Sequence, residues 1–239
     1  MAKAIMGKRF VASYSGGKDG VFAVYSAIQQ GMIPLSLLTT YITAQSRSWF
    51  HGVPEPVLEN AAESMGIPLR LIKTSGDEYE ASFEKALRLA KEQGAEACVF
   101  GDIDIDEHIQ WCTNRCVSAG VEPVFPLYGQ SRKAIIHDFI DNGFTAHFTN
   151  IDTSRLNGAL LGKPLTKESL SEVEAQGADI CGENGEYHTF VSNGPIFKKP
   201  VEFSFGEKIE NNGCLILPVL CIRGGGAARL DPFVNTGTD

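Results

Sequence analysis

Residues Phe10 to Gly20 read F-V-A-S-Y-S-G-G-K-D-G, and this stretch decides the fold class. A short apolar run with the character of a strand leads into a glycine pair, and a segment of helical character follows over Val21 to Gln30. A strand that turns directly into a helix leaves the first helical amides without partners, and these donors together with the helix dipole stabilise an anion. The stretch therefore predicts a phosphate-binding turn in an α/β domain.

The residue types within this turn suit a polyphosphate and its metal ion. Glycines let the main chain come close to phosphate oxygens in conformations that a side chain would hinder, and serine hydroxyls add donors. The lysine supplies positive charge, and the aspartate could hold a divalent cation. The predicted phosphate ligands are Ser13, Ser15, Gly16, Gly17, Lys18 and Asp19.

The turn differs from the common nucleotide-binding loops. It does not fit G-x-x-x-x-G-K-[ST], because two glycines alone precede the lysine and neither serine nor threonine follows it, and it is not G-x-G-x-x-G. S-G-G-K-D-G instead resembles the S-G-G-x-D-S pyrophosphate loop of enzymes that cleave ATP between its α and β phosphates and transfer the adenylyl group. Gly20 stands where that pattern has serine, so one hydroxyl contact is missing or is replaced by a backbone amide. The alternative is a glycine-rich turn without a ligand.

Strands and helices alternate regularly over the first half of the sequence. Apolar runs predict strands at Arg9–Ser13, Pro34–Tyr41, Leu69–Lys73, Ala97–Phe100 and Glu122–Phe125, with helices between them that end at Gly31, Gly66, Gly94 and Gly120. Repeated strand–helix units with right-handed crossovers predict a doubly wound, five-stranded parallel sheet. Ligands bind at the carboxyl ends of such strands, which gathers Ser15–Asp19, the segment after Tyr41 and Gly101–Asp102 at one crevice.

The rhythm weakens after Gly129, where we place a boundary between a nucleotide-binding domain, residues 1–128, and a smaller α+β subdomain, residues 129–223. The elements predicted there are helices over Ser131–Asn142 and Thr166–Gln176, a strand over Thr145–Asn150, and a hairpin of Val201–Phe205 and Leu215–Ile222 joined through Glu210–Gly213. The tail, residues 224–239, is rich in glycine and small polar residues and is predicted to be disordered.

The composition is that of an ordinary soluble protein. Of 239 residues, 43% are apolar and 21% are charged, and no apolar run approaches the roughly 20 residues of a membrane span. The formal charge of -8 disfavours non-specific attraction to nucleic acid or to an anionic membrane. The N-terminal residues lack a secretory signal and the cysteines include no C-x-x-C pair, so we expect a cytoplasmic protein with reduced thiols.

Two further groups of residues have both a structural and a metal-binding interpretation. His108, Cys112 and Cys116 are spaced by four and would share one face of a helix, where a packed core stripe is favoured because no fourth ligand is evident. Asp102 could hold a metal ion together with Asp19, or it could cap the helix that follows it.

A second signature lies near the end of the sequence, where Cys181 to Val191 read C-G-E-N-G-E-Y-H-T-F-V. Its glycines permit a tight loop, and the carboxylates of Glu183 and Glu186 can orient an amine, bind ammonium or hold a metal ion. The alternative is a charged hairpin turn, since Asn-Gly with neighbouring charges is common in turns.

S-G-G-K-D-G near the start, G-D-I at Gly101–Ile103 and C-G-E-N-G-E-Y-H-T-F-V near the end together resemble, in order and spacing, the diphthine–ammonia ligase family. The resemblance implies a Rossmann-like domain of the adenine-nucleotide α-hydrolase type with a small C-terminal substrate subdomain. It also implies a reaction in which ATP, ammonium and the carboxylate of diphthine on translation elongation factor 2 give an amide, AMP and pyrophosphate. The matching site residues are Ser15 to Asp19 in the pyrophosphate loop, Glu183, Gly185, Glu186 and Thr189 in the substrate-side loop, and His51, which helps to frame the nucleotide.

The expected chemistry is formation of an acyl-adenylate followed by attack of ammonia. Lys18 would bind the β and γ phosphates, and Mg²⁺ on Asp19, with Asp102, would neutralise the charge that grows between the α and β phosphates. Glu183 or Glu186 would position ammonia or take its proton, and the sequence does not choose between them.

The chain departs from the family pattern at Gly20, Asp102, Asn184 and His188. These differences resemble those of related bacterial pyrophosphatase-like proteins, in which the chemistry persists while the acceptor differs. One alternative is therefore an enzyme that adenylates a small metabolite or a transfer RNA base, although the net charge disfavours the RNA substrate. The other is a non-catalytic protein that binds ATP or AMP. A homodimer is compatible with the sequence, which leaves the oligomeric state open.

Overall fold

The computed structural model describes residues 5–42, 47–48, 52–75 and 77–222. Within these residues, the first half of the chain is built from a mainly parallel sheet and the helices that cover it. The strands are β1 (Arg9–Ser13), β2 (Ile33–Ile42), β3 (Arg47–Ser48), β4 (Leu69–Thr74), β5 (Ala97–Val99) and β6 (Glu122–Val124). The helices are α1 (Lys18–Gln29), α2 (Glu55–Met65), α3 (Tyr79–Glu92) and α4 (Asp106–Ala119).

Five of these strands run parallel in the order β4-β2-β1-β5-β6, and the short β3 adds antiparallel to β2. The chain moves outward from β1 through β2 to β4 and then returns to the other side of β1, so the direction of winding reverses between β1 and β5. Ligands bind in the crevice at such a reversal. The predicted five-stranded parallel sheet is confirmed, and its crevice lies beside the glycine-rich turn.

Both faces of this sheet are covered, as a doubly wound arrangement requires. Phe10 and Ala12 of β1 belong to a core that α1 and α2 cover, whereas Val11 between them belongs to a second core that α3 and α4 cover. Helix α1 begins at Lys18, three residues before the predicted start, because the glycine pair alone forms the turn. Lys18 therefore lies at the first helical position.

The second half of the chain packs onto the first of these cores. Its elements are α5 (Arg132–Asp141), β7 (Thr145–Asp152), α6 (Lys167–Ala175), β8 (Tyr187–Asn193), β9 (Phe203–Phe205), β10 (Ile209–Asn211), β11 (Cys214–Ile216) and β12 (Val219–Cys221). Four strands form an antiparallel sheet in the order β10-β11-β7-β8. The ring of Phe22 in α1 lies 5.9 Å from Phe139 and 5.8 Å from Phe144, so aromatic packing joins the two halves.

The predicted C-terminal hairpin is confirmed in part: its two segments pair antiparallel over Phe203–Phe205 and Val219–Cys221, but the predicted turn connects an additional inner pair of strands. Asn212 and Gly213 both have positive φ and connect β10 to β11, which pair with each other. The longer predicted strand from Leu215 splits at Pro218, because proline cannot donate to a strand ladder. The residues after the break form β12, which pairs with β9 in a separate two-stranded sheet.

Three sequence expectations fall wholly or largely on residues outside the described part of the chain: the role of His51, the segment after Tyr41, and the tail beyond residue 223. Within the described part, no helix combines the length and the apolar character that crossing a bilayer requires. Cys112 and Cys116 are buried in the core beneath α4, whereas His108 is exposed, so the three do not meet at one point. The core-stripe interpretation of this spacing fits the two cysteines.

Candidate active site

The glycine turn, Ser13–Lys18, connects β1 to α1 and is held by backbone interactions. Gly16 has a φ of +86°, a conformation that side chains disfavour, and an added Cβ there would lie 3.4 Å from the ring of Phe190. The carbonyl of Gly16 accepts a hydrogen bond of 2.9 Å from the amide of Val191 in β8. The amide of Lys18 donates to the Thr189 hydroxyl at 3.1 Å. The second signature is thus bonded directly to the first.

Lys18 lies at the centre of the site, with 5% of its surface exposed. Its Nζ is 2.8 and 2.7 Å from the two carboxylate oxygens of Asp19, 3.6 Å from Oε1 of Glu183, and 5.7 Å from the centre of the Tyr187 ring. Burial alone lowers the pKa of Lys18, but these neighbours outweigh it and hold the pKa well above its usual range. The side chain is therefore a buried cation at neutral pH.

Glu183 is the carboxylate of the second signature that faces this cation. Burial raises its pKa, and so does the nearby charge of Asp19, while Lys18 and Arg132 lower it; the result is a pKa of about 7. A carboxyl group with such a pKa can take up and release a proton near neutral pH. Glu183 can therefore act as a general base.

Glu186, three residues later, has a different position. It is 3% exposed, and its oxygens accept hydrogen bonds from the backbone amide of Asn184 at 3.0 Å, from the Asn184 side chain at 3.1 Å and from the amide of Asp179 at 3.3 Å. Its carboxylate is occupied with holding the carboxylate loop, which we define as Asp179–Glu186. The structure thus brings Glu183 to Lys18 and places Glu186 behind the loop.

A cleft of about 190 Å³ separates the glycine turn from the carboxylate loop. It is lined by Lys18, Asp19, Ile105, His108, Gly182, Glu183, Gly185, Tyr187, His188 and Thr189. Burial, and next the charge of Lys18, lower the pKa of His188, so its imidazole is neutral at neutral pH. Of the predicted substrate residues, Glu183, Gly185 and Thr189 line the cleft, and Glu186 does not.

The third wall comes from the β5 loop, Phe100–Ile105. Gly101 in this loop touches the first turn of α1, where an added Cβ would lie only 2.7 Å from the Asp19 carbonyl carbon and the Gly20 amide nitrogen. Glycine at position 101 is therefore required by contact with backbone. Gly20 differs, since an added Cβ there would lie 3.5 Å from the Ser13 carbonyl oxygen, which is an ordinary contact. The missing serine is thus not excluded by space.

Asp102 does not cap the following helix. Helix α4 has Ile105 at its N-cap position, and none of the described side chains caps it. Instead, the Asp102 carboxylate lies 3.7 Å from Sγ of Cys112 and 3.6 Å from Nδ1 of His108. Burial raises its pKa, partly offset by His108.

A magnesium site is compatible with the residues opposite the β5 loop. Potential ligand atoms of Asp19, Cys181 and Glu183 lie within 4.8 Å of one another, and Asp102 is not in this group. Mg²⁺ is usually held by one or two carboxylates together with substrate phosphates, and Asp19 can supply one such carboxylate. Burial raises the pKa of the Cys181 thiol to about 12, so it stays protonated and is a poor ligand. Asp102, predicted as a second metal ligand, is engaged with Cys112 and His108.

Sequence reasoning did not identify the residues that join these walls. Arg132, at the start of α5, contacts Asp104 in the β5 loop and both Asp179 and Asn184 in the carboxylate loop. No local pattern marks this arginine, since its partners lie in distant segments of the sequence. Asp179 could have been inferred from the sequence, because it lies two residues before C-G-E, where a carboxylate can accept loop amides.

Comparisons with known proteins agree over most of the chain. Residues 8–123 match the family described as diphthamide synthase N-terminal domain, and residues 131–216 match the one described as diphthamide synthase C-terminal domain. The relative from Danio rerio named diphthine–ammonia ligase is 27% identical over 239 residues, 90% of this chain and 94% of the relative. The relative of that name from Homo sapiens is 26% identical over 242 residues, 90% of both chains.

Among solved structures, the predicted subunit of tRNA methyltransferase from Methanocaldococcus jannaschii aligns with 81% of this chain and 100% of its own. The sequence identity is 17% and the TM-score is 0.43. The assignment of the fold rests on the strand order of the sheet described above.

Proposed function

Because this chain belongs to the diphthamide synthase family and is therefore an ATP-dependent ligase, we propose that it adenylates a carboxylate acceptor and then transfers ammonia to it. Pyrophosphate leaves in the first step and AMP in the second. One observation carries this proposal: Nζ of Lys18, in the turn suited to phosphates, lies 3.6 Å from the carboxylate of Glu183, which can take a proton. Phosphate binding and amide formation therefore share one cleft.

In the first step, an oxygen of the acceptor carboxylate attacks the α-phosphorus of ATP, and the bond from that phosphorus to the bridging oxygen of the β phosphate breaks. Charge then grows on the departing pyrophosphate. Lys18 and the amides of the glycine turn would stabilise this charge, because fixed donors in a buried site act more strongly than water does. Binding of the β and γ phosphates by Lys18 replaces part of its contact with Asp19.

Mg²⁺, held by Asp19 together with phosphate oxygens, would supply further neutralisation of charge on the phosphates. Glu183 would stay free of the ion as the proton acceptor. Release of Asp19 from Lys18 on phosphate binding would leave that carboxylate available.

In the second step, the nitrogen of ammonia attacks the carbonyl carbon of the acyl-adenylate, and the bond to the AMP oxygen breaks. Ammonium must lose one proton before attack, and the new amide nitrogen must lose another. Glu183, whose pKa lies near 7, is placed to accept a proton in this step. Glu186 holds the loop that carries Glu183.

We further propose that residues 1–128 bind the nucleotide and that residues 129–223 bind the acceptor. The relatives' name makes diphthine the first acceptor to test. His188 lines the cleft beside Glu183, and with Asn184 it is a place where this chain departs from the family pattern. A carboxylate other than diphthine is therefore the second acceptor class to test.

The experiment uses the purified full chain with ATP, ammonium and elongation factor 2 bearing diphthine, and then with an extract of small carboxylic acids. We expect AMP and pyrophosphate in equal amounts over many turnovers only when ammonium and an acceptor are both present, and at most one pyrophosphate per chain with the acceptor alone. With an acceptor whose carboxylate carries ¹⁸O, one labelled oxygen should appear in AMP. Release of ADP and phosphate would contradict adenylation.

The matched control is Lys18→Ala, which removes the phosphate-binding cation while leaving Glu183 in place. Loss of both products in this variant is expected if the glycine turn binds the triphosphate. Tight ATP binding by the parent chain without turnover for any acceptor would instead support a nucleotide-binding protein without catalytic activity.

A further inference from the structure

Arg132 uses all three nitrogens of its guanidinium group, and its partners lie on two separate walls of the cleft. Nε and Nη2 bind the two oxygens of Asp104 at 2.7 and 2.8 Å, which is the fork geometry of a bidentate pair. Nη1 binds Oδ2 of Asp179 at 2.6 Å and Oδ1 of Asn184 at 3.2 Å. One side chain therefore joins the β5 loop to the carboxylate loop.

The stability of its own helix does not explain this arginine. Arg132 is the first residue of α5, and the helix is capped independently, because the Ser131 side chain accepts a hydrogen bond from the amide of Ala134. A cation at a helix N-terminus opposes the helix dipole. The position is explained by the two carboxylates, which hold the guanidinium across the gap between the loops.

On one side, this contact continues to Glu183. The second oxygen of Asp179 accepts the amide of Cys181 at 3.0 Å, while Oδ2, which binds Arg132, also accepts the amide of Glu183 at 3.1 Å. The backbone of the Glu183 residue is thus fixed by a carboxylate that Arg132 itself fixes. A shift of Arg132 would move the base and leave the glycine turn in place.

On the other side, Asp104 directly precedes Ile105, which lines the cleft, and lies in the same loop as Gly101, which touches the start of α1. The glycine turn itself has other supports, in the Gly16 carbonyl bonded to Val191 and the Lys18 amide bonded to Thr189. Arg132 makes no contact of its own with the glycine turn among its hydrogen bonds and ion pairs in the described residues.

We propose that Arg132 is a positioning residue that fixes the Glu183 loop against the β5 loop, so that ammonia transfer depends on it while ATP binding does not. This inference rests on the proposed function for its catalytic half. According to this proposal, aligning Glu183 with the reacting centre requires the planar guanidinium group with its paired donors, and a positive charge alone is not enough.

The first test compares Arg132→Gln, Arg132→Lys and Lys133→Gln in the full chain. For Arg132→Gln we expect kcat for ammonia-dependent AMP release to fall about 100-fold, because small misplacements of a reacting group have effects of that size. The Kd for ATP should stay within about twofold, since the supports of the glycine turn are intact. Arg132→Lys keeps the charge but lacks the fork, so a loss of about tenfold should remain.

Lys133→Gln is the control, because Lys133 is next along the same helix, is exposed and pairs with Glu174 alone among its hydrogen bonds and ion pairs in the described residues. It should match the parent chain in both measurements. Full activity in Arg132→Lys would overturn the role of the fork. An equal loss of ATP binding and of turnover in Arg132→Gln would overturn the proposal by showing a general support of the fold.

Asp104→Asn provides the second variant in case Arg132→Gln does not fold. This substitution weakens the pair between Arg132 and the half-exposed Asp104. It should lower kcat by less than Arg132→Gln does and should also leave the Kd for ATP unchanged. Combined with Arg132→Gln, it should add little further loss, because both changes break one contact. Additive losses would contradict the link.

Hydrogen exchange separates this proposal from the proposed function. In Arg132→Gln, the amides of Cys181 and Glu183 should exchange about tenfold faster than in the parent chain, while those of the glycine turn should not change. Equal exchange in both proteins would overturn the link between the loops. If the parent chain forms no amide at all, the proposed function fails, and the exchange result still decides whether Arg132 holds the two loops.

Discussion

The glycine turn and the carboxylate loop line one cleft, but different interactions hold them in place. The glycine turn is fixed by backbone, through the φ of +86° at Gly16 and the hydrogen bond from Val191. The carboxylate loop is fixed by side chains, because Asp179 and Glu186 accept its amides. A backbone turn can be read from its glycines, whereas a side-chain network depends on residues that meet only in the folded chain.

This difference also separates two glutamates that the sequence treats alike. Glu183 and Glu186 lie in one short loop, yet Glu183 faces Lys18 while Glu186 turns inward to accept three hydrogen bonds. Glu186 thus holds the shape of the loop that presents Glu183 to Lys18. We therefore expect substitutions of Glu183 and of Glu186 to have different effects.

The largest effect should come from the glycine turn. Lys18→Ala removes the cation that faces both Asp19 and Glu183 in the cleft, and we expect release of pyrophosphate to fall about 1,000-fold or more, as for loss of a main charge-stabilising group. The measurement is the rate of pyrophosphate release with ATP, acceptor and ammonium in excess. Turnover equal to that of the parent chain would show that the triphosphate does not bind at this turn.

Substitution of Glu183 should lower the rate of amide formation, whereas substitution of Glu186 should lower stability. Glu183→Gln should lower the rate of amide formation about 100-fold with a folded protein, because a proton acceptor is lost. Glu186→Gln should lower the free energy of unfolding by about 2 kcal/mol, because the new amide group cannot accept all the loop donors. Rates and thermal unfolding measured on both variants decide this, and an exchange of the two outcomes would reverse the assignment.

The pH dependence of stability tests the burial of Glu183. Its pKa in the folded chain is about 7, above the ordinary 4.5, so its contribution to stability is complete below pH 4.5 and is lost as the pH rises through 7. Glu183→Gln does not titrate and should therefore be more stable than the nucleotide-free parent chain at pH 8, by on the order of 2 kcal/mol. The difference should vanish near pH 4.5. Equal unfolding curves at pH 8 would show a normal pKa.

A smaller effect is expected at the contact between the two signatures. Thr189→Val removes the hydroxyl that accepts the Lys18 amide, leaving a buried donor without its partner, and should cost about 1 kcal/mol of stability. ATP binding, measured by calorimetry, should weaken by about fivefold. Ser192→Ala, further along the same strand, is the control. Equal effects of both substitutions would mean that the Lys18 contact has no special weight.

The smallest effect should come from Gly20→Ser, which restores the usual residue of the pyrophosphate loop. Space for the new Cβ exists, so stability and turnover should stay within about twofold of the parent values. Gly101→Ala is the opposing control, because its Cβ would meet the backbone of Asp19 at 2.7 Å. A large loss in Gly20→Ser would show that the turn is tighter than its contacts indicate.

The parts of the fold that sequence predicted are those governed by local rules. The glycine-terminated helices and apolar strands of the parallel sheet follow from periodicity, and the sharp turn between β1 and α1 follows from its glycine pair. The inner pair of β10 and β11 was not predicted, because Pro218 divides a run that composition alone reads as one strand. The choice of Glu183 over Glu186 and the role of Arg132 depend on contacts between distant segments, for which the sequence holds no local signal.

The most direct test of the central claim is a structure of the full chain with a non-hydrolysable ATP analogue and Mg²⁺. We expect the β and γ phosphates to contact Nζ of Lys18 and the amides of the glycine turn, with Glu183 facing the α phosphate across the same cleft. A triphosphate bound at any other surface, with the cleft between Lys18 and Glu183 empty, would contradict it.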